Sequence, residues 1–180
     1  MKEIIENTDI IILKNTQESD LDLVVEWEHQ PDNAQYVGQW TREQHRVSLS
    51  QEDILHLSIK ERSTNQLIGY VILAGITNPN HNIEFRRIVI SDKGHGFGRE
   101  TLNLVKKIAF KQLNAHRLWL DVRYKNQKAQ RLYKSEGFVE EGILRECILY
   151  HGSYESLIVM SILKSEYVEG IEASGPSYIY

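Results

Sequence analysis

The sequence predicts a single α/β domain of the α+β kind, built on a mixed, mostly antiparallel sheet with one parallel strand pair. Three observations carry this. Stretches 54–60, 67–73 and 83–90 are short, β-branched and joined by turns, the pattern of an antiparallel meander. The turn Lys93-Gly94-His95-Gly96-Phe97-Gly98 then leads into an amphipathic helix and a further strand, and such a right-handed crossover makes its two strands parallel. Finally, a chain of 180 residues, 41% hydrophobic and 26% charged, holds one sizeable core and is short for two. Residues 1–180 are read as one domain, with a core over 9–165 and a tail over 166–180.

Taken in order, Asp9-Ile10-Ile11-Ile12-Leu13-Lys14 reads as a first strand because it is short and β-branched. A helix follows from Ser19-Asp20 to His29, with Leu21, Val24, Val25 and Glu28 marking one side and Asp20 and Asp22 suiting its dipole. Pro31-Asp32-Asn33 ends it. Segment 34–51 is irregular and reads as a lid or specificity loop, although Thr41-Arg42-Glu43-Gln44 outlines a capping box and predicts a short helix. Ile54 to Lys60 alternates as a half-buried strand and forms a hairpin with Leu67 to Leu73 across the turn at Arg62–Gln66. After the strand Ile83–Ile90, a helix from Gly98 to about Leu113 aligns Leu102, Val105, Ala109 and Leu113. Asn114-Ala115 stops it, and His116–Arg123 is the next strand. Asn126 is a good N-cap for a second helix, with Ala129, Leu132 and Tyr133 as its apolar stripe and Gly137 as its stop. Phe138 onward and Tyr154–Leu163 form a closing strand pair around His151-Gly152.

Composition narrows the function. A formal charge of −4 without a basic run argues against nucleic-acid binding. The single Cys147 excludes an internal disulfide and a multi-cysteine zinc site, and no His-Glu-x-x-His spacing occurs, so no metal is expected. The acidic start Met1-Lys2-Glu3-Ile4-Ile5-Glu6 is unlike a signal peptide. The longest apolar run, Leu67–Ile76, is too short to span a bilayer. A cytoplasmic protein without a membrane partner is expected.

The glycine turn carries the chemistry. Glycine at alternate positions lets a ligand approach the main chain, and the following helix points its unpaired N–H groups at the same spot, where an anion is stabilised. A P-loop requires Gly-Lys followed by Ser or Thr, but Gly98 is followed by Arg99-Glu100. A dinucleotide fingerprint requires Gly-x-Gly-x-x-Gly, and here the last glycine comes one residue early. The turn suits a phosphate or pyrophosphate outside both patterns.

With the segment Asn126-Gln127-Lys128-Ala129-Gln130-Arg131-Leu132-Tyr133-Lys134-Ser135-Glu136-Gly137-Phe138 in place, the chain resembles the GNAT superfamily of N-acetyltransferases. Lys93 to Gly98 resembles the family's pyrophosphate loop, and 126–138 its second signature. The ending Gly137-Phe138-Val139-Glu140-Glu141-Gly142 resembles the branch of ribosomal-protein N-terminal and spermidine N-acetyltransferases. The resemblance implies a GNAT-like sheet with a splayed parallel pair and helices on both faces. It also implies acetyl-CoA as co-substrate, its pantetheine arm paired with strand-end amides at Ile88, Val89 and Ile90. The N–H groups of His95, Gly96, Phe97 and Gly98 then hold the pyrophosphate, aided by Lys93 or Arg99, and Gly94, Asn126 and Lys128 complete the cofactor set. Asn126 is equally readable as a simple N-cap. Tyr133 matches the family's general-acid tyrosine.

For the base, Glu84 lies on the strand leading into the site, although it shares a face with Arg86 and a salt bridge competes. His56, His81 and His116 are weaker candidates. The acceptor is a primary amine of a small molecule or a peptide N-terminus. Only Asp32 and Glu43 between Pro31 and Gln51 supply acids for a polyamine. The competing reading is a non-catalytic acyl-CoA sensor. The apolar tail Tyr178-Ile179-Tyr180 suggests contact with another subunit, as in a homodimer.

Overall fold

Alternating and β-branched stretches become strands wherever both or one of their faces can be buried. The computed structural model describes residues 5–167, and the tail on which the homodimer reading rests lies outside them. Eight strands form one sheet in the order β1-β2-β3-β4-β5-β6-β8-β7. They are β1 (Ile5–Asn7), β2 (Ile11–Asn15), β3 (Ile54–Glu61), β4 (Leu67–Ala74), β5 (Asn82–Ile90), β6 (Arg117–Arg123), β7 (Val139–Tyr150) and β8 (Ser153–Leu163). The meander β3-β4-β5, the crossover to a parallel β6 and the closing hairpin β7-β8 follow the sequence reading. The short edge strand β1 has no counterpart in it. Strand β3 is buried on both faces from Ile54 to Ile59, where alternation suggested a half-buried strand.

The helices are α1 (Leu21–His29), α2 (Pro31–Ala34), α3 (Arg42–Ser48), α4 (Phe97–Lys107) and α5 (Gln127–Ser135). Thr41 caps α3 through a complete capping box with Gln44. The expected continuous helix to Leu113 instead widens into a π-turn at Ile108–Gln112, closed by Leu113 N–H to Ile108 O at 3.0 Å. Asn114, at φ 52, then turns the chain into β6.

The sheet has a core on each face. On one, Leu55, Leu57, Val71, Leu73, Ile83, Phe85, Leu118 and Leu120 pack against Leu102 and Val105 of α4, Ala109 of the π-turn and Tyr133 of α5. On the other, Tyr70, Ile72, Ala74 and Val89 pack with Val24 and Trp27 of α1. Strand β5 changes face between them. Its register with β4 passes from Ile72↔Arg87 to Leu73↔Phe85, so Arg86 is an extra, bulged residue. Ile83 and Phe85 therefore face α4, whereas Val89 faces α1.

Candidate active site

The parallel pair is short. Strands β5 and β6 are in register only from Asn82↔Arg117 to Glu84↔Trp119, yet β5 continues to Ile90 and β6 to Arg123. Past Glu84 they part, leaving the facing edge of β5 without a partner strand, a row of N–H and C=O groups open to an extended ligand. A cleft of about 680 Å³ occupies the parting. Its walls come from β5 (Phe85–Ile90), the glycine turn, β6 (Asp121–Arg123), α5 and the segment around α2.

At one end, Gly94 and Gly96 stand at φ 102 and 81, conformations that favour glycine, and a Cβ at either would meet nothing within 4 Å. Gly96 caps α4, and its carbonyl accepts from the N–H of Arg99 and Glu100, leaving the first-turn amides of Phe97 and Gly98 toward the cleft. Lys93, Arg99 and Lys128 border the same end, with Arg99 braced on Glu136 and Ser135. The residues fit a pyrophosphate.

Of the expected cofactor set, only His95 is not among the cleft-lining residues; its ring lies 3.3 Å from Asp92 and against Phe97. Asn126 lines the cleft and also caps α5, its Oδ1 accepting from Ala129 N–H at 3.2 Å. Both readings of that side chain hold geometrically.

Tyr133 projects from α5 between Phe85 and Phe138. Burial, and then the nearby Asp121 charge, push its phenol well above the usual range, so it is a proton-bearing group. Glu84 is held by Arg86, with Nη2 to Oε2 at 2.6 Å, and is not among the cleft-lining residues.

Asp121 is the carboxylate that lines the cleft at the parting of the strands, and sequence reasoning passed over it. Its strand neighbours Leu120 and Val122 face α4, which turns Asp121 to the α1 face. Although its surface opens onto the cleft, protein surrounds it, and this burial, followed by the charge of Glu84, raises its pKa. Two carboxylates of neighbouring parallel strands at the point of parting were the available signal.

A second missed group is Glu28, fully buried beneath the α1 face. It accepts from Arg87 Nη1 at 2.6 Å, Trp40 N–H at 2.7 Å and the Tyr70 hydroxyl. His45 Nε2 lies 3.2 Å from Oε1, off the line of a good hydrogen bond. Burial pushes the Glu28 carboxyl up, but His45, the Arg87 charge, Tyr70 and Trp40 outweigh it and hold it below the ordinary glutamate value. Behind His45 stands His56, 3.1 Å from it, with Thr16 at 2.8 Å on the far side. Burial, then His45, lowers the His56 pKa to about 3, so that ring is neutral.

Among the described residues no cluster of three His, Cys, Asp or Glu could hold a metal ion, and no helix is long and apolar enough to cross a membrane.

Residues 11–139 match the family model described as an acetyltransferase (GNAT) domain. The spermidine N(1)-acetyltransferase of Vibrio cholerae serotype O1 is 36% identical over 115 residues, 63% of this chain and 66% of that protein. The Escherichia coli K12 spermidine N(1)-acetyltransferase is 26% identical over 161 residues, 84% of this chain and 87% of its own length. Among solved structures, the Vibrio cholerae spermidine N-acetyltransferase in complex with CoA and spermine superposes with a TM-score of 0.80 at 28% identity. That match covers 88% of this chain and 98% of the other.

Proposed function

The chain belongs to the GNAT acetyltransferase family, and from that premise we propose that it transfers the acetyl group of acetyl-CoA to a primary amine by direct attack. The acceptor is a small-molecule amine or a protein N-terminus. The observation that carries this is the meeting of three features in one cleft: an anion-binding glycine turn, a parted strand pair and the Asp121–Tyr133 pair.

Acetyl-CoA supplies the acyl group already activated as a thioester. The amides of Phe97 and Gly98, with Lys93 and Lys128, hold its pyrophosphate, and the free edge of β5 at Ile88 and Ile90 aligns the pantetheine arm. Asp121, raised by burial and by Glu84, accepts the proton that an incoming ammonium must lose before attack. Glu84 acts through Asp121. Tyr133, on the opposite wall, donates a hydrogen bond to the sulfur as the C–S bond breaks and the C–N bond forms. Protonation of Asp121 removes the charge that helps keep the Tyr133 phenol high, so the acidity of Tyr133 increases at the moment the leaving group needs a proton.

The test is CoA release from acetyl-CoA across a panel of amino acids, peptides, aminoglycosides and polyamines, with products read by mass. A new acetylated mass is expected. Absence of release from any acceptor, together with no thermal protection by acetyl-CoA, would overturn the assignment.

A further inference from the structure

Resting on the acetyl-transfer reading above, we infer that Arg87 anchors the acceptor through an oxygen beside its amine. The acceptor class is then an α-amino acid or the first residue of a peptide, not a polyamine.

The bulge at Arg86 turns Arg87 onto the α1 face of the sheet, the face that also carries Asp121. If the registered pairing Glu84↔Trp119 were extended, Asp121 would fall opposite Arg86, so the base and Arg87 flank the parting at nearly the same level. The segment Asp32–Gly38 faces them across the cleft. A Cβ on Gly38 would come within 3.1 Å of Arg87 Nη2, so glycine there leaves room beside the guanidinium.

Next comes what holds it. The Arg87 side chain is only 7% exposed, its Nη1 bonds Glu28, and the Trp40 ring lies 4.5 Å from its Cζ. Arg87 also interacts with the Tyr70 hydroxyl, and it lines the cleft, so part of its guanidinium faces the site. Glu28 is in turn fixed by Tyr70, Trp40 and His45. A buried ion pair is costly to assemble and is weak evidence for stability alone. Here the assembly ends on a rigid planar cation that offers its remaining donors to the site, an arrangement suited to a carboxylate or carbonyl oxygen.

Charge argues the same way. The cleft is lined by six basic side chains and by Asp32, Asp92 and Asp121 alone among acids. Asp92 is occupied with His95, and Asp121 is needed as the base. One carboxylate remains for the further ammonium groups of a polyamine, whereas an aminoacyl group needs one cation near the base.

The experiment measures kcat/KM for a matched set: leucine, leucine amide, a leucyl peptide, 3-methylbutylamine (the leucine skeleton without its carbonyl) and spermidine. A hydrogen bond to a charged group contributes about 1.5–3 kcal/mol, which is roughly a ten- to hundredfold preference for the carbonyl-bearing acceptors over 3-methylbutylamine. Free leucine and the peptide separate the two sources of that oxygen. Arg87→Lys keeps a positive charge for Glu28 but loses the planar fork, so the preference should collapse to near unity. The charge-neutral pair Glu28→Gln with Arg87→Gln checks that result without a stranded charge. A wild-type ratio near unity, spermidine as the best acceptor, or a ratio that survives both variants would overturn the inference. The same acceptors are titrated into the CoA-bound protein. If none is acetylated the transfer reading fails, while a carbonyl preference in binding, present or absent, still decides the role of Arg87.

Discussion

Replacing Glu28 by glutamine keeps the shape of the side chain and removes its charge, and the surrounding donors set the consequence. Oε1 receives Arg87 at 2.6 Å and the Tyr70 hydroxyl, with His45 nearby, while Oε2 receives the Trp40 N–H at 2.7 Å. A glutamine has one oxygen. If it occupies the Oε1 position, its NH2 faces the Trp40 amide, donor against donor; flipped, it faces Arg87 and Tyr70. Either way Arg87 becomes a buried cation without a counter-charge, and breaking one side of a buried pair costs about 3–5 kcal/mol. For a chain of this size 1 kcal/mol shifts Tm by about 2–4 °C, so Glu28→Gln should lower Tm by about 6–20 °C at neutral pH.

The pH dependence adds a signature. Because the folded carboxyl titrates below 4.5, the stability it contributes is fully present above that value and is lost as pH falls through the lower, folded value. His56, depressed to about 3, makes both proteins lose stability between pH 6.5 and 3, since unfolding lets it take up a proton. Thermal unfolding of both proteins from pH 7 to 3 should show a gap that closes only below the glutamate range. A Tm change under about 2 °C at neutral pH, or a gap constant with pH, would refute the argument.

Three further outcomes follow from the cleft. Tyr133→Phe should lower kcat about ten- to a hundredfold with acetyl-CoA affinity retained, read by steady-state kinetics beside calorimetry; an unchanged kcat removes Tyr133 from the chemistry. Asp121→Asn should lower kcat by about a hundredfold or more and remove the acid limb of the rate profile. Since the raised pKa of Asp121 means its ionised form is disfavoured in the fold, the same variant should unfold at a higher temperature at neutral pH, and a lower one would contradict the burial argument. Gly96→Ala places a Cβ at φ 81 with open space around it, so its stability cost should stay near 1–2 kcal/mol while acetyl-CoA binding weakens about tenfold, measured by calorimetry.

What the chain discloses on its own is what is local. The capping box at Thr41–Gln44, the glycine turn and the Asn126 cap each lie within a few residues, and each forms where its residues stand. Even the buried side of α1 was legible, Glu28 falling in line with Val24; a carboxylate on an apolar face must find a partner, but that partner is Arg87, 59 residues away. The pairing depends on the bulge at Arg86, and a bulge leaves no mark in a stretch such as Glu84-Phe85-Arg86-Arg87-Ile88 that alternates passably in either register. Strict alternation places Glu84 with Arg86 and stops there, and that contact does form.

The parting beside the bulge accounts for Asp121. On β6 it reads as the solvent-facing member of Leu120-Asp121-Val122, and only the early parting of β5 from β6 turns that exposed position into a cleft wall. The residue inserted in β5 thus sets Arg87 on the α1 face, while the parting beside it opens Asp121 to the cleft. Deleting Arg86 would remove the bulge but leave Phe85 and Arg87 as consecutive residues on opposite faces, so Arg87 should stay beside Glu28 and only the Glu84 ion pair should be lost. A fall in Tm as large as that of Glu28→Gln would refute this placement.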